Sequence, residues 1–315
     1  MADAPKARDA TDTGSDPRRC GIIAIIGAPN AGKSTLVNAL VGAKVTIVSR
    51  KVQTTRVQIR GIAIEGASQL VLIDTPGIFA PRRRLDKAMV ANAWSGAADA
   101  DQVLVLIDAA KGIDEDVDRM LTKLAGQNVK PNLVLNKVDR VDDKARLLAL
   151  VQELSSRLPF EAVFMIVALT GDGVAQLKRH LAANVPEGPW LYPEDELSDI
   201  PLRQLAAEVT REKIYDNLHD ELPYQITVET ETWKTLRDKS VRVDQVIYVE
   251  RDSQKSIVLG KGGQTVKKIS QASRTELSEI VGAPVHLFLF VKVREGWDRD
   301  PERYREMGLD FPTED

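Results

Sequence analysis

Residues 27–34 read Gly27-Ala28-Pro29-Asn30-Ala31-Gly32-Lys33-Ser34, a G-x-x-x-x-G-K-S pattern. Glycine at both ends lets a backbone fold closely round a polyphosphate and turn successive amides toward its oxygens. Lys33 can reach the terminal phosphates, and the Ser34 hydroxyl can ligate Mg²⁺. Such a loop needs a strand before it and a helix after it. The apolar run 22–26 supplies the first and the stretch opening on Thr35-Leu36-Val37 the second. The N-terminus of that helix adds partial positive charge beside the anion.

The loop does not choose the nucleotide. Asn136-Lys137-Val138-Asp139, at the end of the apolar run 133–135, does. A carboxylate at Asp139 can accept from N1–H and the 2-amino group of guanine. Adenine offers neither donor, and a buried carboxylate left unpaired costs enough to reject it. Asn136 is expected to contact the base edge and steady the loop, and the aliphatic stem of Lys137 to cover the base plane.

Between these two motifs, residues 70–73 form an apolar run that ends in Asp74-Thr75-Pro76-Gly77. Asp74 is placed to hold the Mg²⁺ shell, and the Gly77 amide to sense a γ-phosphate. A threonine in Ser49-Arg50-Lys51-Val52-Gln53-Thr54-Thr55-Arg56 completes the metal shell when that phosphate is bound. Of the two candidates we favour Thr55 over Thr54. The metal ligands are then Ser34, Thr55 and Asp74, and Lys33, Thr55 and Gly77 face the transferred group.

The elements that must position these residues can be read in outline. The runs 22–26, 70–73, 103–107, 133–135 and 163–167 alternate with amphipathic stretches. That pattern implies a mostly parallel, helix-covered sheet over residues 20–183. Residues 1–19 mix acids and bases without an apolar core, so they are neither signal nor transit peptide and read as disordered. Residues 184–201 carry Pro186, Pro189, Pro193 and Pro201 and read as a linker, with Trp190 and Tyr192 able to pin it to a domain face. At 315 residues, two domains are the natural expectation. A net charge of −3 excludes a global field for nucleic acid, so any basic surface is local. The single cysteine, Cys20, excludes an internal disulfide. His180, His219 and His286 lack metal-binding spacing. No apolar run approaches a membrane span.

From residue 202 the pattern changes. Leu202, Leu205, Val209, Ile214 and Leu218 suggest an amphipathic helix, while 226–231, 243–249 and 285–293 alternate as strands. Gly260-Lys261-Gly262-Gly263, between two helical stretches, fits the G-x-x-G loop that clamps a nucleic-acid backbone. Six bases (Arg251, Lys255, Lys261, Lys267, Lys268, Arg274) face one acid, Asp252, over 251–274. Gly260, Lys261, Gly262, Gly263, Lys267 and Lys268 are the candidate RNA-binding residues. The competing reading is a helix–helix turn with solvated charges. This unit is assigned to 202–300, and 301–315 to a C-terminal tail.

The motifs above, in this order, together with Glu221-Leu222-Pro223-Tyr224 and Ala283-Pro284-Val285-His286-Leu287, resemble the Era-type GTPase family. The resemblance runs from residue 21 to about residue 310. It implies a Ras-like P-loop G domain, with a mostly parallel sheet and helices on both faces, followed by an α+β type II KH domain. It implies hydrolysis of GTP to GDP and phosphate with Mg²⁺. It also implies binding of the 3′ end of small-subunit ribosomal RNA and of the 30S precursor during small-subunit assembly. The implied protein is a cytoplasmic monomer with a loose peripheral association with the inner membrane.

Val167 is a departure from the family pattern, and Ile78 is a feature shared with it. The family carries Ser-Ala in the base loop where this chain has Val167-Ala168, so a hydroxyl that supports the loop is missing. The Ala168 amide remains to meet the guanine oxygen. Ile78 stands where Ras-like enzymes place a water-orienting glutamine, so hydrolysis is slow or helped by something else. Asn30, by the resemblance, supports a potassium ion beside the phosphates; alternatively it only shapes the loop after Pro29. Arg82, Arg83 and Arg84 either touch RNA or the second domain, or form a solvated basic loop. Two other functions compete with an RNA-gripping GTPase: an RNA chaperone whose nucleotide is structural, and a protein-directed signalling GTPase without RNA binding.

Overall fold

The computed structural model describes residues 17–312 except 50, 52–54, 57, 82, 128, 219–221, 297–299 and 307–308. Thr54, Arg82, His219 and residues 1–16 therefore lie outside the described residues. The first unit is a six-stranded sheet in the order β2-β3-β1-β4-β5-β6. Its strands are β1 (Arg19–Ile26), β2 (Ile59–Glu65), β3 (Ser68–Asp74), β4 (Gln102–Asp108), β5 (Asn132–Asn136) and β6 (Val163–Ile166). Only β2 is antiparallel, to β3. Side chains alternate between the faces, and both faces are buried. Ile23 and Ile25 point one way, into a core with Leu36, Val37, Leu177 and Leu181 from α1 (Lys33–Val41) and α5 (Val174–Asn184). Ala24 and Ile26 point the other way, toward α2 (Arg84–Ala98), α3 (Glu115–Ala125) and α4 (Lys144–Arg157). This is the mostly parallel, two-faced sheet expected.

β1 starts at Arg19, inside the segment expected to be disordered. The reason is tertiary. Its guanidinium donates to Ala183 O and Val185 O at 3.1 and 2.8 Å, and its amide to Ala67 O at 3.1 Å. The proline-rich segment 184–201 lies along the sheet. Trp190 Nε1 donates to Ala67 O at 3.0 Å, Gln69 Oε1 accepts from the Leu191 and Tyr192 amides, and the Ile62 amide donates to Leu197 O at 2.9 Å.

The second unit runs α6 (Leu202–Asn217), β7 (Thr227–Thr235), β8 (Val241–Val249), α7 (Asp252–Leu259), α8 (Gln264–Val281) and β9 (Val285–Val293). β7 pairs antiparallel with β8, and β8 parallel with β9. Helix–strand–strand–helix–helix–strand is the α+β order expected.

Contacts among the described residues join the units. Lys44 pairs with Glu212 of α6 at 2.7 Å and with Glu276 of α8, and the Val48 amide donates to Glu212 Oε1 at 2.8 Å. Beyond β9, α9 (Pro301–Glu306) sets Tyr304 and Leu309 against Leu85, Ala88 and Met89 of α2. Arg84 stacks over Phe311, 5.2 Å from the ring centre. Tyr304, Leu309 and Phe311 of the tail are thus packed onto the helix that follows residues 74–77.

Candidate functional site

The loop 27–32 leaves β1 at the carboxyl end of the sheet. There β3 flanks one side and β4 the other, which opens a crevice. Gly32 has φ 103°, and a Cβ there would sit 2.3 Å from Asn136 Nδ2. That contact shows what closes the site. Asn136, 2% exposed, donates from Nδ2 to Ala31 O at 2.9 Å. Its Oδ1 accepts from the Lys137 and Ala168 amides at 2.8 and 3.0 Å. One side-chain amide thus ties together the loops 27–34, 136–139 and 167–168. The Val167 amide donates to Asp172 O at 2.9 Å.

Lys137, with φ 61°, reaches back across the loop: its Nζ donates to Asn30 O at 2.6 Å and to Asp108 Oδ2 at 2.7 Å. Asp139 is exposed in the short turn Val138–Arg140, at the same end of the sheet. Asn30 has φ 63°, a conformation asparagine tolerates well. Thr75 Oγ1 donates to Ile25 O at 2.7 Å, which pins the turn 74–77 to β1. The Ile78 amide donates to Gly27 O at 3.1 Å, and the Ile78 side chain is 5% exposed, packed in the core.

Asp74 gathers the remaining residues. Its Oδ2 accepts from Ser34 Oγ and Thr46 Oγ1, each at 2.8 Å, and from Thr55 Oγ1 at 3.3 Å. Ser34 and Thr55 hydroxyls are 3.0 Å apart. Asp74 Oδ1 is buried and has no hydrogen-bond partner among the described residues. A buried, unpartnered carboxylate oxygen beside three hydroxyls is an all-oxygen set, suited to a hard divalent cation and its waters. Burial pushes the Asp74 carboxyl up, against the hydroxyl bonds and Lys33. Burial also pulls Lys33 down to about 8, with Asp74 opposing and Lys137 adding to the fall. Lys33 Nζ donates to Gly27 O and Ala28 O, both at 3.0 Å. The structure thus brings Ser34, Thr55 and Asp74 together. Thr46 was not found from the sequence, because an isolated threonine carries no motif. Asp108, the partner of Lys137, was missed for the same reason.

In the second unit, residues 260–263 link α7 to α8. Gly260, Gly262 and Gly263 have φ of 72°, 60° and 77°, and a Cβ at Gly262 or Gly263 would meet nothing within 4 Å. Lys261, Lys267 and Lys268 are exposed beside this opening.

Residues 22–137 match the family described as 50S ribosome-binding GTPase, and residues 221–298 match the KH domain family. "GTPase Era" of Afipia carboxidovorans is 65% identical over 298 residues, 95% of this chain and 96% of that protein. "GTPase Era" of Brucella suis is 62% identical over 302 residues, 96% of this chain and 97% of that protein. The chain belongs to the Era GTPase family. A solved Era structure, in complex with MgGDPNP and nucleotides 1506–1542 of 16S ribosomal RNA, superposes with a TM-score of 0.87. It is 36% identical and covers 92% of this chain and 99% of its own. The Y63A variant of Aquifex aeolicus Era bound to GDP·AlF4⁻ superposes equally well, at 36% identity and the same coverage.

Within residues 167–172 the Thr170 hydroxyl bonds Asp172 Oδ2 at 2.8 Å, while Asn136 ties the Ala168 amide to the loop 27–34. Asn136→Ala removes three hydrogen bonds and leaves the Ala168 amide and Ala31 carbonyl without that partner. We expect a loss of about 1–3 kcal/mol of stability in urea unfolding of the nucleotide-free protein. An unchanged midpoint would remove Asn136 from this role.

Proposed function

We propose that this chain hydrolyses GTP at the crevice above, grips the 3′ end of small-subunit ribosomal RNA through residues 260–263 with Lys267 and Lys268, and acts in small ribosomal subunit assembly. One observation carries the reading: a closed nucleotide crevice and an open, lysine-flanked glycine loop lie on one chain. Support comes from the solved Era complex, which holds MgGDPNP and 16S ribosomal RNA together. The 30S precursor is the partner this reading implies. The protein works in the cytoplasm as a monomer, with no more than a peripheral association with the inner membrane. No helix among the described residues is long and apolar enough to cross a membrane.

In this mechanism the amides of residues 27–35 cradle the phosphates, and Lys33 exchanges its loop carbonyls for phosphate oxygens. Ser34, Thr55 and Asp74 would hold Mg²⁺, which would supply charge neutralisation to the transferred phosphoryl group. Thr75 and Pro76 shape the turn that presents the Gly77 amide to the γ-phosphate. Val138 and Val167 support the base loops, Lys137 covers the base and Asp139 reads its edge. Ile78, packed in the core, offers no hydrogen bond to the attacking water.

Asp139→Asn is expected to weaken GTP binding by about a hundredfold, as two hydrogen bonds to the carboxylate are lost. It should gain xanthosine triphosphate, whose 2-oxygen can accept from the new amide. Titration with both nucleotides decides it; undiminished GTP affinity removes Asp139 from the base site.

The double variant Lys261→Asp/Gly262→Asp places two negative charges where a sugar-phosphate chain must approach. RNA affinity should fall by at least ~1–3 kcal/mol, with GTP hydrolysis in the absence of RNA unchanged. An unchanged RNA affinity in the folded variant would return the loop to a mere turn, and the chain to a protein-directed GTPase.

Asn30 and Ile78 together suggest a monovalent cation, potassium, in place of a water-positioning side chain. It would neutralise charge that develops during transfer. Steady-state hydrolysis in KCl should exceed that in matched NaCl for the wild type, but not for Asn30→Ala. Equal wild-type rates in the two salts overturn the cation, and stimulation that survives in the variant leaves Asn30 as a loop-shaping residue.

A further inference from the structure

Thr55 and Arg56 are neighbours in the chain, with Cα atoms about 3.8 Å apart, yet their side chains enter different domains. Thr55, 7% exposed, turns to Ser34 and Asp74. Arg56, 4% exposed, turns into the second unit. Its Nη1 donates to Ile226 O at 2.8 Å. Its Nη2 donates to Tyr224 O at 3.0 Å, to Tyr215 Oη at 3.2 Å and, more weakly, to Pro223 O at 3.4 Å. The carbonyls belong to the short turn Leu222–Gln225 and the residue after it. A turn this short leaves carbonyls without partners of its own. The planar fork of an arginine, with five donors and no acceptor, can satisfy several at once.

The geometry points to Arg56 as a positioning residue for the metal site. Seated in this carbonyl socket of the second domain, it holds Thr55 against Ser34 and Asp74, so the KH domain sets the affinity for Mg²⁺-bound nucleotide. A second set of contacts aligns with it. Lys44 and the Val48 amide, upstream in the same segment, are held by Glu212 of α6. Hydrogen bonds from Lys213, Lys44 and that amide keep the Glu212 carboxyl below the usual carboxylate range, although burial opposes its charge. Both ends of the segment therefore rest on the second domain, and the inner face of its C-terminal end carries Thr55.

This inference rests on the reading of Thr55 as a metal ligand, and the experiment separates the two. Binding of a non-hydrolysable GTP analogue to the full-length protein is measured by calorimetry, in Mg²⁺ and in EDTA. The ratio of the two affinities is the Mg²⁺-dependent gain. Thr55→Ala should lose most of that gain. Arg56→Gln should lose about tenfold of it, with affinity in EDTA unchanged, which also reports an intact fold. Arg56→Lys keeps the charge but not the fork, and should fall between wild type and Arg56→Gln. A full gain in Arg56→Gln alongside a loss in Thr55→Ala overturns the role of Arg56. A full gain in both removes Thr55 from the metal site, and this inference with it. If Arg56→Gln does not fold, Arg56→Lys decides alone: an undiminished gain shows the fork is not needed.

Discussion

The site is organised by a buried carboxylate. Asp74 ends β3 at zero exposure, where an ionised group without partners would cost several kcal/mol. Three hydroxyls converge on its Oδ2, from α1, from residue 46 and from residue 55. Those bonds bring Thr46 and Thr55, in the segment between α1 and β2, to one oxygen. Asn38 secures the start: its Oδ1 accepts from the Val45 and Thr46 amides and its Nδ2 donates to Thr46 O. The oxygen left over, Oδ1, is buried with no hydrogen-bond partner among the described residues.

The far side of that segment meets the second domain. Lys44, Glu212, Lys213 and Glu276 form a charged cluster there. A half-buried cluster of this kind adds little net stability, because desolvation offsets the attraction. α9 and the residues after it bury Tyr304 and Leu309 on α2. Lys44, Val48 and Arg56 on one side and α2 on the other are thus in contact with chain that follows residue 200.

Much of the crevice was legible because phosphate and guanine recognition demand particular residue types at short spacing. Gly32 shows the limit of that legibility. The motif requires glycine there, but the reason seen in the structure is Asn136, whose Nδ2 occupies the space a Cβ would need. Asn136 was expected to contact the base edge and steady its loop; its amide ties three loops together, a reach the tetrapeptide alone does not show. β2 went unread, since Arg60 and Gly61 interrupt its apolar pattern, and it is an edge strand that the linker covers through Ser198 and Asp199. The segment beyond residue 300 was assigned only as a C-terminal tail, because Tyr304, Leu309 and Phe311 are too few and too far apart to form a periodic face.

The sequence by itself determined which chemistry the chain carries. A G-x-x-x-x-G-K-S loop, an Asp-Thr-Pro-Gly turn and an Asn-Lys-x-Asp turn are local, and each dictates its own backbone and donor set. The alternation of apolar runs determined the layered sheet for the same reason: burial of one face is a property of a single strand or helix. What only the tertiary structure decided is which residues converge from afar. Thr46 on Asp74, Asp108 on Lys137, Arg56 in the Tyr215 socket and Tyr304 on α2 are pairs separated by tens to hundreds of positions. No periodicity or motif encodes them, because the energy that selects each partner, the cost of a buried polar group or an uncovered apolar face, exists only once the chain has closed.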